Sequence, residues 1–229
     1  GVGKTSFLRA GVIPAKPDEW GVAVCHPGEA PFAALVRAFV PEFAGDLDAI
    51  SRLVHLDEPG EIVAMLSRWR ERHDKVLFIV DQFEELFTLN DPETQGTFAR
   101  LLRQLVDEAD ICVLLAMRDD FLHRCHAHEG LRPLFEDLGA LDQPDAEALR
   151  RAVTEPATRL GYSFADVDLP QEMVAEVEGQ RSALPMLAFA VARLWEKRDC
   201  AQRLLTRQAY EEAGGVGGAL AGHAEATLA

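Results

Sequence analysis

Long hydrophobic runs are missing from this sequence: the longest, Val76 to Val80 and Ile111 to Met117, fall far below the roughly 20 apolar residues of a membrane-spanning helix. No membrane contact is expected. Cysteine is scarce and scattered. Cys25, Cys112, Cys125 and Cys200 form no C-x-x-C pair, which argues against a disulfide framework and for a reducing, cytoplasmic setting. His123, Cys125, His126 and His128 crowd one stretch but lack the paired spacing of a closed zinc site, so a polar loop is the better reading. Positive charge is the minority: 23 Lys and Arg against 38 Asp and Glu leave a formal net charge of -15. A phosphodiester backbone would be repelled, so direct nucleic-acid binding is not expected.

What is present is a globular composition. Of 229 residues, 48% are hydrophobic and 27% charged, enough for one large domain or one plus an appendage. Strand-like and helical stretches alternate in the first part. Lys4 to Ala10 reads as a helix that Pro14 ends. Trp20 to Cys25 reads as a strand closed by His26-Pro27-Gly28, and Ala30 to Phe43 as an amphipathic helix. Ile62 to Arg72 is helical, Val76 to Val80 a buried strand, Thr97 to Glu108 a helix, Ile111 to Met117 a second buried strand and Leu138 to Leu141 a last short one. Such alternation predicts an α/β fold with a parallel sheet. From Asp145 onward only helices are expected, broken at Pro156, Gly161, Pro170 and the glycine cluster Gly214 to Gly218.

The chemistry begins at residue 1. Gly1-Val2-Gly3-Lys4-Thr5-Ser6 matches the end of the phosphate-binding loop G-x-x-x-x-G-K-[ST]. Glycines there let successive N–H groups curl around phosphates, Lys4 reaches the β and γ phosphates, and the Thr5 hydroxyl ligates Mg²⁺. The first glycine of the motif and the strand before it are expected upstream of residue 1, and the segment is expected to fold poorly without them. Asp81 follows the apolar strand, at the sheet edge where parallel α/β proteins bind ligands. It is the candidate Mg²⁺ carboxylate, with Glu84 or Glu85 to activate water. Alone, the same string would read as Asp81 capping a helix whose first turn holds the glutamates. Arg118, after the next strand, is either a γ-phosphate sensor or a surface cation paired with Asp119 or Asp120.

Together these strings resemble the STAND class of signalling P-loop NTPases, and within it the novel STAND NTPase 1 branch. The carrying residues are Gly3-Lys4-Thr5-Ser6 with Leu8 to Pro14, Trp20 with Pro27-Gly28 and Pro31, and Asp81-Gln82-Phe83-Glu84-Glu85-Leu86-Phe87. Arg118 with Asp120-Phe121, Pro156-Ala157 with Gly161, Ala183-Leu184-Pro185, Leu194-Trp195, Leu205-Thr206 with Tyr210, Gly214 to Leu220 and His223-Ala224-Glu225 extend the likeness almost to the end. The resemblance implies a P-loop core over residues 1–143, a helical lid over 144–204 and the start of a winged helix over 205–229. It also implies Pro185 near the adenine, ATP and ADP with Mg²⁺ as ligands, and a homo-oligomer when ATP is bound. Fused or partner effector and sensor domains are expected with it, WD40 repeats among them. A slowly hydrolysing switch is the expected function. A nucleotide-gated scaffold without turnover, or a winged-helix DNA regulator, is the alternative. Two departures from the family pattern stand out: His26 stands where Arg usually precedes Pro-Gly, and the winged-helix module is expected to be cut before any later nucleotide-sensing histidine.

Overall fold

A computed structural model describes residues 3–44, 46, 59–135, 137–180 and 182–218. They fall into two compact units, Lys4–Gly139 and Ala140–Ala229 with Gly1–Gly3.

The first unit is built on three parallel strands in the order β1 (Trp20–Cys25), β2 (Lys75–Val80), β3 (Cys112–Leu115). Alternation of side chains along β2 sorts its apolar run onto two faces. Val76, Phe78 and Val80 join the larger core, with Leu35 and Phe39 of helix Pro31–Phe39, Leu66 and Trp69 of helix Pro59–Arg70 and Leu101 of helix Pro92–Asp107. Leu77 and Ile79 face the other way, onto Leu8, Val12 and Ile13 of the first helix. Helices on both faces explain why β2 is apolar from Val76 to Val80 and not alternating. Gly21 in β1 has a packing reason: a Cβ there would come within 2.9 Å of the Trp69 ring. The register pairs Cys25 with Val80 and Val80 with Leu115. The next residues, His26, Asp81 and Ala116, therefore leave the sheet side by side at its carboxyl edge.

The first helix ends at Ala15, one residue past the expected stop at Pro14. Before that end it widens into a π-helical turn, Leu8–Val12, which leads into Ile13–Ala15. Ile13 N–H donates to Leu8 O, five residues back, and the widened turn makes room for a ring that would otherwise press on the preceding turn. Leu138 to Leu141 forms no strand. Leu138 is 58% exposed in an irregular stretch, where no neighbouring backbone ladder takes up its polar groups.

The second unit has its own core, in which Leu149, Val153, Leu169, Met173, Leu194 and Leu205 are buried together. It is not purely helical: Ser163–Phe164 (β4) and Leu204–Leu205 (β5) pair in parallel. Nor does Pro156 break its helix, which spans Ala146–Arg159. Pro156 and Ala152 are both exposed, so the proline lies on the solvent side of the helix, where the Ala152 carbonyl that it leaves without an N–H donor costs least. Gly161 (φ 76°) and Gly214 (φ 85°) do stop helices, in the left-handed conformation that glycine tolerates. Arg207 ties this unit by donating to Asp166 and, through both terminal nitrogens, to Glu172. Tyr210 donates to Glu176 and accepts from Val216 N–H; burial and the Glu176 carboxylate push its phenol up. Residues 219–229, with the last part of the expected winged helix, lie outside the described residues.

Among the described residues no helix is long and apolar enough to cross a membrane.

Candidate functional site

Thr5 is the second residue of helix Lys4–Phe7, and the packing of Leu8 beneath it fixes that helix on the sheet. Its Oγ1 donates to Asp81 Oδ2 at 2.6 Å, across 76 residues of sequence. Asp81 is 2% exposed and is the buried charged residue among those described. Its other oxygen accepts from Gln82 N–H at 2.9 Å, and that short loop drives Gln82 into the left-handed region at φ 55°. A non-glycine residue held there stores strain, of the kind that gathers at functional sites. The strain is held by Phe83, fully buried, whose N–H donates to Ala116 O. Asp81 N–H donates to Cys25 O, so the sheet ladder continues one step into the site.

The two glutamates divide. Glu85 Oε2 accepts from Gly28 N–H at 3.0 Å, while Asn90 Nδ2 donates to Gly28 O at 2.8 Å. Together they clamp the His26-Pro27-Gly28 turn to the segment after β2. Glu84 Oε2, in contrast, is buried with no hydrogen-bond partner. Leaving a buried carboxylate oxygen unpaired costs about 1–3 kcal/mol or more, which a bound donor would recover. His26 Nδ1 is a second such atom: buried, unpartnered and 3.9 Å from Asp81 Oδ2.

Lys4 sits half-buried at the head of the first helix, and Ser6 is exposed beside it. Gly3 takes φ 83°, a conformation open to glycine. Gly1 and Val2 lie outside the described residues. Arg118 stands two residues beyond Ala116, near the same edge. Its guanidinium is 59% exposed, donates to both Asp120 oxygens at 3.1 and 2.7 Å and lies over the Phe121 ring. Pro185 is exposed in helix Ala183–Glu196 of the second unit. The Glu85–Gly28–Asn90 clamp escapes sequence reading, because nothing local links residues 57 and 62 positions apart.

An oxygen set of one buried carboxylate and one hydroxyl suits a hard cation such as Mg²⁺. The unpaired Glu84 oxygen in the same segment leaves one acceptor unused, so the residues present fit a metal-bound nucleotide. Cysteine chemistry does not belong here. Burial, against a smaller opposing effect of Arg37 and with Glu85 reinforcing it, pushes the Cys25 thiol up to about 12. Burial does the same to Cys125, whose Sγ lies 3.5 Å from Met117 Sδ. Thiolate is the reactive form, so in the native protein at pH 8 iodoacetamide should label the exposed Cys112 and Cys200 and spare Cys25 and Cys125, as read by peptide mass mapping. The stability these two buried thiols contribute is full below the ordinary thiol value of 9.0 and is lost as pH rises toward about 12.

Three comparisons with known proteins bear on this arrangement. The profile of the family described as novel STAND NTPase 1 matches residues 1–229, the whole chain. No curated protein matches. Among solved structures, a Walker-type ATPase of Pyrococcus abyssi is similar in fold, with a TM-score of 0.61 at 14% identity, over 99% of this chain and 68% of that one.

Proposed function

The chain belongs to the novel STAND NTPase 1 family, and on that premise we propose that it is an ATP-driven switch that hydrolyses slowly and assembles when ATP is bound. The observation that carries this reading is the 2.6 Å bond between Thr5 and the buried Asp81. It joins the phosphate-loop helix to the acidic end of the central strand.

In this reading Lys4 binds the β and γ phosphate oxygens, helped by backbone N–H groups at the helix start. Thr5 and Asp81 hold Mg²⁺, which when bound neutralises charge on the transferring phosphate. Glu84, with an oxygen free of protein partners, orients water and takes its proton. Glu85, already engaged by Gly28, positions the turn. The assignment of Pro185 to the adenine rests on resemblance alone. Effector and sensor domains, WD40 repeats among them, are the proposed partners, and the cytoplasm the proposed location.

Arg118 is the proposed γ-phosphate sensor, and to act it must release Asp120. An exposed pair of this kind is worth about 0–1 kcal/mol, so a phosphate can compete for the guanidinium. Arg118→Ala should leave ADP affinity within about twofold and cut the preference for ATP over ADP by about fivefold or more. Equal loss for both nucleotides in a titration would contradict the sensor role.

The direct test is ATP turnover and oligomeric state of the full-length protein, with and without Mg·ATP. Assembly with slow turnover supports the switch. Assembly without turnover would favour a scaffold, and neither would sink both readings.

A further inference from the structure

We propose that His26 is a third contact, beside Thr5 and Asp81, for the hydrated Mg²⁺ that accompanies bound nucleotide. The inference rests on the nucleotide-site reading above and adds to it a residue and an atom, Nδ1.

The turn that carries His26 is held from every side. Cys25, just before it, accepts from Asp81 N–H. Pro27, just after it, is buried and fixes its own φ. Gly28 is clamped through its N–H by Glu85 and through its carbonyl by Asn90, and Asn90 O in turn accepts from Gln95 Nε2 at 2.7 Å. So firmly built a turn fixes the backbone from which the imidazole projects. Nδ1 lies 3.9 Å from Asp81 Oδ2, although the side chain as a whole is 37% exposed. That separation is too long for a hydrogen bond and short enough for one small group to bridge.

The chemistry of the two atoms says what that group is. Asp81 Oδ2 is a carboxylate oxygen and accepts only; Nδ1 in the Nε2–H tautomer also accepts. With the imidazole in that tautomer, whatever fills the gap donates to both. An anion is excluded by the carboxylate. Water whose lone pairs face a cation presents its two O–H groups outward and meets both acceptors. Thr5 Oγ1, already on the same Asp81 oxygen at 2.6 Å, places the cation's own ligands next to this gap.

The test measures how strongly Mg²⁺ tightens nucleotide binding in the full-length protein, by titrating ATP with excess Mg²⁺ and again with EDTA. Asn carries its amide where Nδ1 sits, whereas Gln carries it further out, near Nε2. His26→Gln and His26→Leu should lose about five- to tenfold of the Mg²⁺ enhancement while affinity in EDTA stays unchanged, and His26→Asn should keep the enhancement. If His26→Leu fails to fold, the contrast between Asn and Gln still decides. Equal loss with and without Mg²⁺, or full enhancement in the Gln variant, overturns the inference. Lys4→Ala separates the two readings: undiminished ATP affinity there would remove the nucleotide site and this contact with it. Lost affinity there, with full enhancement in His26→Gln, would remove the contact alone.

Discussion

Lys4→Ala should lower the affinity for Mg·ATP by about 100-fold or more and, on the proposed reading, abolish both turnover and nucleotide-driven assembly. The reason is local. The chain carries a net charge of -15, so its long-range field repels a triphosphate, and attraction must come from fixed groups within a few ångströms. At the head of the first helix those groups are backbone N–H donors and the Lys4 ammonium, half-buried with no protein partner among the described residues. A charge-assisted hydrogen bond is worth about 1.5–3 kcal/mol, and Lys4 can donate to two phosphates at once; two such bonds exceed the 2.7 kcal/mol or so that corresponds to 100-fold. Alanine is a good helix former, so the packing of Leu8 on the sheet should survive and the melting temperature without nucleotide should stay within about 2 °C. Isothermal titration of folded variant protein checks the prediction. Affinity within a few-fold of the wild type would remove the phosphate site from this loop.

Much of this site is legible because its signals are local. Val76 to Val80 is an unbroken apolar run ending in a charge, and a run buried on both faces with an abrupt acidic stop leaves few readings other than a central parallel strand delivering Asp81. Trp20 to Cys25 is equally clear, its end marked by Pro27 and Gly28. The reading falters where tertiary pairing overrides local pattern. Ser163–Phe164 and Leu204–Leu205 are strands of two residues each, too short to show any period. Pro14 does mark the end of its helix, at Ala15, but Pro156 reads as a breaker and yet sits inside helix Ala146–Arg159. The different hydrogen bonding of Glu84 and Glu85 is invisible in the string, since two adjacent glutamates look alike until the Gly28 turn arrives from 57 residues away to engage one of them. Arg118 shows the same limit from the opposite side: sequence left a sensor or a surface pair open, and the structure holds it on Asp120.

That difference between the two glutamates gives the second large effect. Glu84→Gln should lower kcat by about 10²–10⁴, the usual contribution of a positioned general base, with Mg·ATP affinity changed by less than about threefold. Glutamine fills the same space and can still accept a hydrogen bond, but it cannot take a proton, so what is lost belongs to the transition state and not to binding. Glu85→Gln should stay near wild type, because its amide oxygen can accept from Gly28 N–H in place of the carboxylate. Glu85→Ala, by contrast, frees the turn and should weaken binding, with kcat following only as far as the turn supports the site. Single-turnover measurements with saturating Mg·ATP separate these cases. A large loss in Glu85→Gln with none in Glu84→Gln would exchange the two roles. No loss in either would mean that neither carboxylate takes a proton in a chemical step, which is the behaviour of a scaffold that binds ATP and holds it.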